Sequence, residues 1–150
     1  MAEFVPEDFV VPTEVSFGEY RLAPLGPEHN RRDYSAWSSS IDHIRATPGF
    51  VGATWPRTMT SSENLQDLER HAEDFRRRTG FTYTVLDAAD DVIGCVYIYP
   101  SRHEGVDARV RSWVREDRRE SDRALYEAVR GWLLGEWPFQ SVEFPGRDGG

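Results

Sequence analysis

The stretch from Ala108 to Val129, ARVRSWVREDRRESDRALYEAV, is where residue types and spacing can do chemistry. An alternating strand runs into a short charged loop and then into an amphipathic helix. The first amides of a helix have no partner within it, so those of residues 119–124 form a natural cradle for a diphosphate. Residues 115–123 hold four arginines (Arg115, Arg118, Arg119, Arg123) and four acids (Glu116, Asp117, Glu120, Asp122), so the loop sums to zero charge. The competing reading is that Ser121 or Asp122 caps the helix and the arginines are solvated.

Other chemistries find less support. His29, His43, His71 and His103 show no HExxH or i, i+4 pairing, so no metal site is expected. Ser38-Ser39-Ser40 lacks the glycines of a nucleophile elbow. Cys95 lies in an apolar run, as an inert buried thiol would, and as the single cysteine it leaves no internal disulfide. All 18 basic residues are arginine, which removes any lysine Schiff base or lysine base. Twenty-six acids give a net charge of −8, a poor footing for nucleic acid. His43 beside Asp42 is either a solvated helix end or, with Trp37, Trp55 and Arg57, part of a pocket wall. Arg76–Arg78 closes a helix, where cations suit the dipole.

The elements that must position these groups follow from periodicity. Residues 1–18 read as an apolar and acidic arm, broken by Pro6 and Pro12, that packs over its own domain or straps a partner subunit. Residues 19–150 read as one domain. Glu19–Leu25 alternates as a strand. Tyr34, Trp37, Ile41 and Ile44 form one helical stripe after Pro27, and Leu65, Leu68, Ala72 and Phe75 form another after the capping box Thr60–Glu63, with Gly80 as its stop. Phe81–Asp87, Val92–Tyr99 and Asp107–Arg115 are strands. A third helix carries Leu125, Val129, Trp132 and Leu133, and Ser141–Phe144 is a last strand. The expected order is β-α-α-β-β-β-α-β: an α+β fold with a mixed central sheet flanked by helices, ending in a parallel crossover.

On these residues the chain resembles the GNAT superfamily of acyl-CoA-dependent N-acyltransferases, most of all the branch holding the ribosomal-protein alanine acetyltransferases. That family reads A-x-(I/L/V)-x-x-W-(L/V) along its fourth strand, and Ala108, Val110, Trp113 and Val114 stand in register. Its (Q/R)-x-x-G-x-(G/A) motif falls on Arg119-Glu120-Ser121-Asp122-Arg123-Ala124, with Asp122 in the place of the first glycine. EYRLAPLGPEHN is similar to the family's opening strand and helix start, and Ile93-Gly94 to its third strand. The likeness runs from about residue 19 to 145.

The resemblance implies acetyl-CoA or another acyl-CoA as co-substrate. Main-chain groups of Trp113, Val114 and Arg115 would pair with the pantetheine, and amides of Arg119, Glu120, Ser121, Asp122, Arg123 and Ala124 would hold the diphosphate. A carboxylate at residue 122 about 4 Å from a phosphate charge costs on the order of 4 kcal/mol at an effective dielectric near 20. Acyl transfer to an amine needs a base and an acid. Arg109 stands where members often carry an acidic residue, and the chain ends before the helix on which they often carry a tyrosine. Asp107, Tyr97, His103 and Glu104 are the nearest substitutes, although Tyr97 and Tyr99 also suit a core strand.

The expected function is N-acyl transfer to a small-molecule or peptide amine, with a non-catalytic ligand-binding or protein-interaction module as the alternative. No basic region precedes an apolar stretch at the N-terminus and no long apolar run occurs, so a cytoplasmic protein away from membranes is expected. A homodimer through the arm or an uncovered sheet edge would complete it.

Overall fold

A computed structural model describes residues 3–147. The strands are β1 (Val15–Phe17), β2 (Tyr20–Pro24), β3 (Phe81–Leu86), β4 (Val92–Pro100), β5 (Ala108–Val114) and β6 (Val142–Glu143). The α-helices are α1 (Asn30–Ser38), α2 (Ile41–Arg45), α3 (Ser61–Arg77) and α4 (Asp122–Glu136), with 3-10 turns at Pro27–His29 and Glu116–Ser121. They build one mixed sheet in the order β1-β2-β3-β4-β5-β6, antiparallel except for β5 and β6, which run parallel.

The alternation of β5 decides what lies on each face. Ala108, Val110 and Val114 join a core with Leu125, Tyr126, Val129 and Leu133 of α4. Trp113 faces the other way, into a core with Trp37, Ile44, Leu68 and Cys95 under α1 to α3. Every residue of β3 is buried, as the unbroken apolar and β-branched run FTYTVL demands. Gly94 lets β4 and β5 approach: a Cβ there would stand 2.3 Å from the carbonyl oxygen of Trp113.

Three departures from the sequence reading have local causes. Residues 15–17 of the arm form β1, turned into β2 by Gly18 at φ +60°. The arm also lies on its own domain: Val5 is buried, Phe4 stacks on Phe81 and Phe139, and Tyr83 donates to the Pro12 carbonyl at 2.7 Å. The first helical stripe is split, because Ser40 leaves helical geometry (φ −133°, ψ 24°) and its Oγ accepts the Glu116 amide at 2.9 Å. Helix α3 begins at the capping box, with Thr60 and Glu63 exchanging bonds of 2.8 and 3.1 Å. It stops at Arg78 in the left-handed region (φ 62°), not at Gly80. Gly80 is small for another reason: a Cβ there would meet the Tyr99 ring at 2.1 Å.

Candidate functional site

β5 and β6 pair only at Ala108↔Val142 and Arg109↔Glu143. Beyond Arg109 the strands part, and the start of α4 stands beside the open stretch. In an antiparallel ladder alternate residues send both main-chain groups to the same neighbour. The Arg115 amide donates to Ile93 on β4 at 2.8 Å, so Arg115 and Trp113 face β4, and the Arg115 carbonyl accepts the Arg118 amide at 2.9 Å. The groups turned to the open edge belong to Ser112 and Val114. Of Trp113, Val114 and Arg115, only Val114 can meet a ligand laid along that edge.

The open stretch is already occupied by this chain. Arg147 grips Asp122 with two nitrogens, at 2.7 and 3.1 Å, and donates to the Ser112 carbonyl at 3.3 Å. Its guanidinium lies 5.1 Å from the Tyr126 ring centroid, and Phe144 packs edge-on against the same ring. At the start of α4 the amides of Arg118 and Asp122 donate to the carbonyls of Arg115 and Arg119 within the 3-10 turn. The arginines of the loop do not converge on one anion. Arg115 pairs with Asp91 and Asp117, Arg118 with Asp87 at 2.8 Å, and Arg123 with Glu127; Arg119 donates to the Glu116 carbonyl. Glu120 is exposed in the 3-10 turn, Ala124 is exposed on α4, and Ser121 Oγ lies 2.6 Å from the Tyr20 hydroxyl. With residues 144–147 in place the cleft does not fit a diphosphate or a pantetheine arm.

On the opposite face of β5 a cavity of about 560 Å³ opens between α1, α3, β4 and the loop 46–60. Phe50, Trp55 and Tyr97 wall it, with ring centroids 6.0 to 6.3 Å apart. Asp33 of α1 enters it, 4% exposed, accepting from Asn64 at 3.0 Å. Burial pushes the Asp33 carboxyl up to about 6. Asn64 also accepts from Trp37 Nε1 at 3.1 Å and donates to Asn30 at 2.9 Å, which ties α1 to α3. His71 of α3 has its Nδ1 within 2.9 Å of the Tyr99 hydroxyl and 3.0 Å of Thr82 Oγ1. Burial brings the imidazole down to about 4, so it is neutral at neutral pH. Tyr99 in turn donates to Asp74 at 2.9 Å. Arg111 closes the β5 side, directly across from Tyr97 in the ladder.

Of the four residues weighed for acid–base work, only Tyr97 reaches this cavity. Its hydroxyl accepts from Trp113 Nε1 at 2.9 Å, and burial pushes it well above its ordinary value. It serves as an aromatic wall, held as in a core strand. Asp107 accepts the Gln140 and Ser141 amides at 2.7 and 3.2 Å and shapes the entry to β6. His103 bonds Glu143, and Glu104 is exposed in the loop before β5. His43 is outside the cavity, whereas Trp55 and Arg57 line it. Asp33, His71, Asp74 and Arg111 were not singled out by sequence reasoning, since they come from three elements and share no motif. Their one local signal is polarity on otherwise apolar faces. Among the described residues no group of His, Cys, Asp and Glu is placed to hold a metal, and no helix is long and apolar enough to cross a membrane.

No protein-family model matches the sequence, and no curated protein matches it. Solved structures do match. The ribosomal-protein-S5-alanine acetyltransferase of Vibrio fischeri superposes with a TM-score of 0.60 at 14% identity, over 82% of this chain and 68% of that one. The microcin C7 self-immunity acetyltransferase, solved with acetyl-CoA and AMP, gives 0.60 at 11% identity, over 85% and 71%. A ribosomal L7/L12 alpha-N-protein acetyltransferase solved with coenzyme A gives 0.61 at 11%, over 84% and 69%. At such identities what is shared is the fold, an α+β arrangement of the GNAT type.

Proposed function

We propose that this chain is an acyl-CoA-dependent N-acyltransferase that moves an acetyl group to an amine, working in the cytoplasm. The observation that carries the reading is the meeting of two features at adjacent residues of β5. The Arg111 side chain lines the cavity, and the Ser112 carbonyl lies on the open edge beside α4. A thioester arm laid on that edge reaches mid-strand from one side, and an amine in the cavity reaches it from the other. The co-substrate supplies a carbonyl carbon: the amine nitrogen bonds to it, the C–S bond breaks, and one proton passes from nitrogen to sulfur.

The chain's own residues have distinct parts in this reading. Ser112 and Val114 offer main-chain partners on the edge, and the amides of Arg123 and Ala124, past the 3-10 turn that engages the Asp122 amide, hold the diphosphate once Arg147 has withdrawn. Phe50, Trp55 and Tyr97 exclude water. Asp33, ionised at neutral pH but with its carboxyl raised to about 6, takes the amine proton, because a base near the working pH transfers protons best. The test is release of free thiol from acetyl-CoA when amines are supplied, alongside the melting temperature with acetyl-CoA alone. Amine-dependent release that Asp33→Asn abolishes is the expected result.

The clasp of Arg147 on Asp122 and Ser112 favours a second reading, a non-catalytic ligand-binding or protein-interaction module of the same fold. In that case millimolar acetyl-CoA raises the melting temperature of neither the wild type nor Arg147→Ala.

A further inference from the structure

Arg111 differs from the other arginines around the sheet. Arg21, Arg109, Arg115, Arg118 and Arg147 each have a carboxylate partner. Arg111, half-buried in the cavity wall, makes no ion pair or hydrogen bond among the described residues. Its guanidinium carbon lies 4.9 Å from the Phe50 ring centroid and 5.7 Å from that of Tyr97. Ring faces attract the cation but accept none of its five N–H groups in the plane of the fork. A partly desolvated guanidinium without an acceptor is costly, and a carboxylate meets that fork bidentately.

The other charges in the cavity narrow the ligand. Asp67 is paired with Arg70, and Glu63 is held by the capping box. Among the described residues Asp33 accepts from Asn64 alone, Asp74 accepts the Tyr99 hydroxyl, and neither has a cation on it. Arg57, exposed at the rim, donates to the Thr58 carbonyl and stays in water. The half-buried cation, Arg111 on β5, therefore faces carboxylates on α1 and α3 across an aromatic floor. The volume of about 560 Å³ is in the range of small-molecule sites.

We propose that this cavity takes an amine that also carries a carboxylate and a flat apolar body, an aromatic α-amino acid or a close relative, with Arg111 gripping the carboxylate. Its place as the acyl acceptor rests on the N-acyltransferase reading; its binding does not.

The test is calorimetric titration of the whole chain with three probes: L-phenylalanine, 3-phenylpropionate, which lacks the amine, and phenethylamine, which lacks the carboxylate. Both carboxylates are expected to bind, and phenethylamine roughly tenfold or more weaker than phenylalanine. Arg111→Gln should weaken both carboxylates by about tenfold while leaving phenethylamine unchanged, and Arg111→Lys should fall between. The wild-type series stands even where a variant fails to fold. Phenethylamine binding as tightly as phenylalanine, folded Arg111→Gln binding like wild type, or no heat from any probe at millimolar concentration overturns the inference. Carboxylate binding without thiol release from acetyl-CoA would sink the transferase reading and leave this site standing. Phenethylamine acetylated as readily as phenylalanine would do the reverse.

Discussion

Arg147 and Asp122 form a two-pronged ion pair across the cleft between β5 and α4, at 2.7 and 3.1 Å, with Arg147 only 7% exposed. The pair joins the segment after β6 to the first residue of α4. It answers the question raised by an acid where a glycine suits phosphate binding: Asp122 has a cation of its own.

Removing that cation should trade stability for access. Arg147→Ala leaves Asp122 and the Ser112 carbonyl without their partner, so unfolding by urea should show a loss of about 2–3 kcal/mol. The double variant Asp122→Gly with Arg147→Ala removes both the plug and the misplaced charge. It should bind acetyl-CoA more tightly than wild type by calorimetry. Equal binding in the two would show that the cleft is not where the thioester goes.

Asp33 and His71 set opposing pH slopes. The Asp33 carboxyl is raised from 3.8 to about 6, so between those values the folded state holds more proton than the unfolded one. Its contribution is fully present below about 3.8 and is lost as pH rises through about 6, a cost of about 3 kcal/mol at neutral pH. His71 is lowered from 6.5 to about 4, so its contribution is present above 6.5 and lost as pH falls through about 4. Asp33→Asn should therefore gain stability at pH 7.5 and none at pH 4, read from urea midpoints. His71→Gln should gain at pH 4 relative to pH 7.5.

Much of this architecture is legible in local pattern, and the site is not. The runs FTYTVL and VIGCVYIY announce β3 and β4, the box Thr60–Glu63 announces α3, and the alternation of Val110, Trp113 and Val114 sorts the faces of β5. Strand β1 is three residues within an acidic arm and has no period to detect. The break at Ser40 depends on the Glu116 amide, 76 residues away. The loop arginines look available as anion ligands until the β3–β4 turn brings Asp87 and Asp91 beside them. Arg147 carries no local signal, because its meaning comes from partners 25 and 35 residues earlier.

Gly94 tests the close approach of β4 and β5. Its missing Cβ would stand 2.3 Å from a backbone oxygen, which cannot swing aside as a side chain could. Gly94→Ala should force the ladder apart at Trp113 and Val114, at a cost of about 2–3 kcal/mol in urea. Because the same shift moves the Ser112 edge, any acetyl-CoA affinity should fall with it. Gly131→Ala is the control: it sits in α4 with open space at its Cβ, and should stabilise by up to about 1 kcal/mol.

Asn64 links both helices that roof the cavity, since its amide serves Asp33, Trp37 and Asn30 at 2.9 to 3.1 Å. Asn64→Leu keeps the branching of the side chain and removes every one of those bonds. Trp37 Nε1 and the Asp33 carboxylate then lie buried with no partner, which costs about 1–3 kcal/mol per neutral group and more for a charge. The cost should be pH-dependent, because Asp33 without its donor resists ionisation further. Asn64→Leu should therefore lose more stability at pH 7.5 than at pH 4. Combining it with Asp33→Asn should recover much of the loss at pH 7.5, as coupled neighbours do. A double variant as unstable at pH 7.5 as Asn64→Leu alone would mean that Asp33 does not bear the charge that this network holds.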